Sequence, residues 1–154
     1  MNARTKKKEK AVAATLDEKT EHGLAVIGAM MGPKFSESLR AAATSGKFGS
    51  PIAQMAIHYA FSDAWGRAGL EKKQKSLIVI GVLIAQGQTA ELKNHVKIGV
   101  ANGLTVQELE ETLIQAVPYV GFPCIASATT AVIEALREIG LDPNVQTSEE
   151  RGLL

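Results

Sequence analysis

Leu70-Glu-Lys-Lys-Gln-Lys-Ser-Leu-Ile-Val-Ile-Gly-Val-Leu-Ile-Ala-Gln86 is the stretch on which the fold turns. Its apolar run, with Leu77, Ile78, Ile80, Val82, Leu83 and Ile84, suits a buried strand as well as a helix, because branched residues pack well on a pleated surface. Length decides for the helix, and so does the lack of a partner strand elsewhere. No Asn-Gly or Asp-Gly turn stands between alternating runs, and Asn102-Gly103 reads as the end of a helix. A helix this apolar on nearly every side implies burial all round.

Helical punctuation continues in both directions. Thr15-Leu-Asp-Glu18 has capping-box spacing and opens an apolar-periodic segment through Leu24, Ile27 and Met31, stopped by Gly32-Pro33. A second segment from about Phe35 ends at Ser45-Gly46. Ser50-Pro51 reads as an N-cap followed by proline in the first turn, starting a third helix that runs to Trp65 and ends before Gly69. Thr89 to Asn102 is a helix closed by Gly103, and Thr105-Val-Gln-Glu108 is a second capping box leading through Leu109, Leu113 and Ala116. Gly121-Phe-Pro123 breaks the chain before a last helix, Ser127 to Ile139. The pairs Leu70 to Gly103 and Thr105 to Gly140 are weakly alike, but two units are too few for a solenoid. The prediction is an all-α protein with one domain over 15–142, a basic disordered tail over 1–14 and a polar, frayed tail over 143–154.

Composition narrows the function. A chain of 154 residues, 45% hydrophobic and only 5% aromatic, builds its core from Ala, Leu, Ile and Val. The net charge is +1, yet five basic residues fall between Met1 and Lys10; the remainder carries 12 basic against 15 acidic side chains. Such a body has no basic stripe or stacking aromatics for nucleic acid. The lone Cys124 cannot form an internal disulfide and reads as a small buried hydrophobe. No early apolar run resembles a signal peptide and no apolar stretch suits a membrane span, so a cytoplasmic protein is expected.

Few side chains offer chemistry. His95, with Glu91 one helical turn before it, can exchange a proton near neutral pH, and the carboxylate can orient the ring or raise its pKa. On residue type alone the plainer reading, a partly exposed helix histidine without a role, weighs more. Asp63 and Trp65 close the third helix, with Tyr59 one turn before Asp63 and His58 only loosely aligned with it. Arg67 offers a bidentate fork for a carboxylate, whereas Lys75, beside Lys72 and Lys73, reads as a solvated charge. His22, His58 and His95 lack the short spacing of metal ligands, so no metal is expected. No nucleophile elbow or phosphate-cradling glycine loop is present.

Four stretches taken together, Trp65-Gly-Arg67-Ala-Gly-Leu70, Lys75-Ser-Leu77, Glu91-Leu-Lys-Asn-His95 and Asn102-Gly-Leu-Thr105, resemble the carboxymuconolactone decarboxylase family, and the resemblance extends from about Glu21 to Gly140. It implies that family's helical fold, shared with alkylhydroperoxidase D, and assembly as homotrimers or homohexamers. It also reverses the weighing at His95, which stands where the family's functional histidine falls. The family's redox branch uses a Cys-x-x-Cys-x-x-x-His motif whose thiols would fall at Gln88 and Glu91, and neither residue forms a thiolate. That leaves the decarboxylase-like branch, which converts 4-carboxymuconolactone to β-ketoadipate enol-lactone. Loss of CO₂ there delocalises charge into the lactone carbonyl, and no metal or organic cofactor is required.

The resemblance therefore implies proton transfer by His95, oriented by Asp63 or Glu91, with Arg67 on a substrate carboxylate. Trp65, Tyr59 and His58 would complete the binding residues for a small carboxylate or lactone. Several positions depart from the family pattern. The basic pair usual after Glu21-x-Gly23 is absent from Ala25-Val-Ile-Gly-Ala-Met-Met-Gly32, Asp63 stands where Glu is common, and Ala68 replaces a proline. The expected substrate is an unsaturated carboxylated lactone or keto acid such as 4-carboxymuconolactone. A dianionic ligand needs compensating charge, so the missing basic pair weakens that case and opens the pocket to a less acidic or bulkier ligand. A related lyase or isomerase on another substrate and a non-catalytic oligomeric binding protein remain the alternatives.

Overall fold

The computed structural model describes residues 3–153, with side chains from residue 17 onward. The basic tail expected over 1–14 therefore lies outside the described side chains. Every regular element among the described residues is helical, and the chain is all-α as predicted. The elements are α1 (Ala3–Met31), α2 (Pro33–Thr44), α3 (Ser50–Met55), a π-helix (Ala56–Trp65), α4 (Lys72–Ala85), α5 (Thr89–Ala101), α6 (Val106–Val120) and α7 (Phe122–Glu138). None is long and apolar enough to cross a membrane. The chain forms two compact units that meet in sequence between Gly69 and Leu70.

The first unit is built on α1. The helix already runs through Thr15 and Glu18, so the capping box predicted there does not start it. Leu24 and Ile27 of α1 pack on Ala43 of α2 and Ile57 of the π-helix, with Leu39, Ala53 and Phe61 around them. Removing these side chains from water supplies the driving force, roughly 1.5–3 kcal/mol for each large aliphatic residue. Gly23 lets α1 and the π-helix approach so closely that a Cβ there would drive into the carbonyl oxygen of Ile57 and stand 2.9 Å from its Cγ2. On the outer side of α1, Arg40 of α2 donates two parallel bonds of 2.7 Å to the Glu21 carboxylate. Ser50 does not cap α3 as predicted; Gly49 occupies the cap position, and the Ser50 hydroxyl donates to the Ala43 carbonyl at 2.6 Å.

The second unit packs α4, α5, α6 and α7 around Ile80, Ile84, Leu92, Val96, Leu109, Val132 and Leu136. Thr105 caps α6 as expected: its hydroxyl accepts from the Glu108 amide at 3.2 Å, and the Thr105 amide donates to Glu108 at 2.9 Å. Glu71 and Gln74 form a matching box at the start of α4. Ion pairs Lys93–Glu134 and Lys97–Glu138 rise together along α5 and α7, so these two helices run parallel. α4 is not buried all round within the chain. It buries Ser76, Ile80 and Ile84, while Ile78 and Val82, one turn apart, are 55% and 48% exposed.

Two of the helix joints are single residues. Gly32 (φ 88°) separates α1 from α2, and Gly121 (φ 81°) separates α6 from α7. Both take a left-side φ that residues with a Cβ adopt at a cost, and a proline in the next first turn fits the incoming helix. Because Pro123 sits in that first turn, α7 begins at Phe122, five residues before the predicted Ser127. The tail beyond Gly140 also differs from expectation. Arg137 of α7 donates to the Val145 carbonyl and pairs with Glu150, and Thr147 is buried, its hydroxyl accepting from the Glu150 amide at 3.3 Å.

Two outcomes test this packing. Gly23→Ala is expected to destabilise the protein by roughly 1–3 kcal/mol, the usual cost of forcing an extra carbon into a filled contact. Gly28→Ala in the same helix meets only the Ser36 side chain, at 3.6–3.8 Å, and is expected to be neutral or stabilising. Urea melts followed by circular dichroism separate the two. At the C-terminus, the Arg137 guanidinium holds the Glu150 carboxyl at about 2, below its ordinary 4.5. A depressed carboxyl adds stability above its unfolded value and loses it as pH falls through the folded one. The Thr147 amide, 2.9 Å from Glu150 Oε2, is therefore expected to lose its folded chemical shift between pH 4.5 and about 2.

Candidate active site

The π-helix carries most of the predicted site residues of the first unit. Its hydrogen bonds run from each amide to the carbonyl five residues back, as in the 2.8 Å bond from Gly66 N to Phe61 O. A π-helix turns once in about 4.4 residues, so His58 and Asp63 share a side of it while staying only loosely aligned, as expected. Each reaches across to α1. His58 Nε2 lies 2.7 Å from Thr20 Oγ1, and Lys19 Nζ donates to Asp63 Oδ2 at 2.6 Å. Between them, the buried Ser62 hydroxyl lies 3.0 Å from His22 Nδ1. Tyr59 stands 72% exposed, Trp65 is half-buried, and Arg67 follows the helix end as an exposed side chain.

In the second unit the predicted site residues sit on α5. Gln88 caps the helix, Glu91 lies in its first turn and His95 one turn further on, beside the buried face formed by Leu92, Val96 and Gly99. His95 is half-buried. Burial pushes its imidazole below the ordinary 6.5, and the Glu91 charge acts in the opposite direction without overcoming it. The ring is thus neutral at physiological pH, able to accept a proton at one nitrogen and donate at the other. Glu134 and Glu138 neutralise Lys93 and Lys97 on the same helix, so Glu91 is the carboxylate whose field acts on the ring.

Other predicted positions fall elsewhere. Cys124 is half-buried, its thiol donating to the Ile84 carbonyl at 2.8 Å. Among the described residues no three His, Cys, Asp or Glu side chains gather as metal ligands would. A groove of about 520 Å³ between α4 and α6 is lined by Leu77, Gly81, Glu108, Glu111 and Tyr119, not by His95. Sequence reasoning does not single out Lys19, Thr20 or Ser62 and weighs His22 only as a metal ligand, because their pairings join residues about forty positions apart. The one local signal was a polar Ser62-Asp63 pair beside the apolar Phe61 on a segment expected to pack.

Comparison with known proteins adds to this geometry. The sequence model of the carboxymuconolactone decarboxylase family matches residues 51–134. The chain is 28% identical over 127 residues to the 4-carboxymuconolactone decarboxylase of Acinetobacter baylyi, covering 82% of this chain and 93% of that protein. It is also 28% identical over 119 residues to the nitrosuccinic acid decarboxylase of Metarhizium robertsii, covering 77% of this chain and 82% of that protein. A 15.0 kDa protein of Paracoccus denitrificans shares 34% identity over 70 residues, 44% of this chain and 52% of its own length.

The electrostatics at α5 have a direct readout. An NMR titration of the His95 ring is expected to give a midpoint below 6.5, and Glu91→Gln is expected to move it lower still. A midpoint that rises on removing Glu91 would contradict the opposing effect of that carboxylate.

Proposed function

The chain belongs to the carboxymuconolactone decarboxylase family, and from that premise we propose that it is a decarboxylase acting on a small carboxylate whose product anion is delocalised onto oxygen. The two named relatives point to this class. Loss of CO₂ from 4-carboxymuconolactone leaves a dienolate, and loss of CO₂ beside the nitro group of nitrosuccinic acid leaves a nitronate. Both anions need a polar environment while charge develops and a proton delivered to carbon afterwards.

The observation that carries the reading is the half-buried His95, whose imidazole burial pushes below its ordinary 6.5, with Glu91 one turn away. An arriving carboxylate raises the proton affinity of a nearby imidazole, so the acid forms when substrate is bound and the proton then passes to carbon. Glu91 takes the orienting role rather than Asp63, whose carboxylate is held by Lys19. In this proposal Arg67 binds a carboxylate as a planar fork, Trp65 supplies an apolar wall, and Tyr59 and His58 contribute polar contacts. No metal or organic cofactor enters the scheme.

The substrate proposed is less acidic than 4-carboxymuconolactone. Where the family pattern has a basic pair, Leu24, Ile27 and Met30 are buried and the residues between them carry no charge. We also propose a homo-oligomer, because Ile52, Met55, Ile78, Val82 and Phe122 are all between 48% and 75% exposed. Light scattering that returned the 16.3 kDa monomer mass at micromolar concentration would remove that part.

Release of CO₂ from 4-carboxymuconolactone, nitrosuccinic acid and related monocarboxylates is the direct assay. His95→Gln is expected to lower kcat by about 10²–10⁴-fold, the range for a general acid, with the helical circular dichroism unchanged. Arg67→Ala is expected to raise KM more than it lowers kcat. An unaltered rate in His95→Gln sinks the assignment of proton transfer to this ring.

A further inference from the structure

π-Helices are rare and mostly last a single turn, yet this one extends from Ala56 to Trp65. Something must hold a register that the backbone alone disfavours. The decision is visible at its C-terminal end. In an α-helix the Gly66 amide would bond to the Ser62 carbonyl; here it bonds to Phe61 O at 2.8 Å. His22 of α1 sits on this turn. Its Nδ1 lies 3.0 Å from the buried Ser62 hydroxyl, and its ring lies against Gly66, where a Cβ would drive into Cε1 and stand 3.1 Å from Nε2. One imidazole thus spans Ser62 and Gly66, the two residues whose bond would restore the α register.

We infer that His22, acting through Ser62, is a positioning residue that locks the π register and so fixes the direction of Trp65 and Arg67. A relaxation by one residue would rotate everything after it by about 100° around the helix axis. Trp65 and Arg67 would then face a different side of the first unit. Glycine at position 66 belongs to the same device, since any side chain there would displace the ring. The consequence for catalysis rests on the role proposed above for Trp65 and Arg67; the register lock itself does not.

Trp65 is the sole tryptophan, so its fluorescence reports the lock without any assay of activity. His22→Leu removes the hydrogen bond, Ser62→Ala removes its partner, and His22→Asn keeps a polar atom near the Nδ1 position. The expected result is a shifted emission maximum and altered acrylamide quenching in both His22→Leu and Ser62→Ala, with His22→Asn close to the parent protein. On a substrate that the parent protein decarboxylates, the first two variants should lose up to ~10²-fold in kcat/KM, mainly through KM, as misplaced binding groups do. Should His22→Leu fail to fold, Ser62→Ala gives the same readout with one buried hydroxyl removed. Parent-like emission in a folded His22→Leu or Ser62→Ala protein overturns the inference, whatever happens to turnover. A shifted emission in a protein that releases no CO₂ from any substrate upholds the lock and rejects the decarboxylase reading instead.

Discussion

Between α1 and the π-helix there is no room for a β-carbon at position 23. The backbone of α1 lies against the Ile57 carbonyl, and the contacts on either side follow from that approach: Lys19 meets Asp63, Thr20 meets His58 and His22 meets Ser62. Were the helices one methyl group further apart, bonds of 2.6–3.0 Å would stretch beyond useful length. The polar seam of the first unit is therefore conditional on a glycine that bonds to none of these side chains. Burial of Leu24, Ile27 and Ile57 supplies the cohesion, and the glycine sets the distance at which it acts.

The two groups of candidate site residues are tuned by different means. Along the π-helix His58, Ser62 and Asp63 are each matched with a neighbour on α1, which fixes side-chain direction. On α5 the dominant influence on His95 is loss of solvent, opposed by one carboxylate on its own helix. Partnered groups hold geometry, and a desolvated imidazole keeps a nitrogen open to a proton; the proposed proton transfer draws on both. The ion pairs that link α5 to α7 keep the lysines beside His95 from adding a strong positive field.

Much of this was legible in the residues. The helix at Leu70–Gln86, the Thr105–Glu108 box, the breaks at Gly32 and Gly121, and the placement of His95 with Glu91 on one helix all follow from periodicity and punctuation. What was not legible has specific causes. Glu71 is a poor N-cap by residue type, so its box with Gln74 gave no signal. Pro123 reads as a breaker, yet a first-turn proline loses no helical hydrogen bond. Ser50 resembles a cap, but the carbonyl of Ala43, supplied by another helix, claims its hydroxyl. The polar C-terminus looks frayed until Arg137 is found beside Val145 and Glu150. A π register leaves no mark in ten residues of sequence, because only its bonding partners distinguish it from an α-helix.

The single-residue joints at Gly32 and Gly121 also govern how the chain meets a protease. Cleavage needs several consecutive residues drawn out in an extended strand, and exposed loop tips are where such strands arise. At these two joints the flanking helices leave no such length to draw out. Nicking of the folded protein is thereby channelled to the longer connections around Ser45–Gly49 and Gly66–Glu71, and a cut in the latter severs the chain at the point in sequence where one unit ends and the other begins.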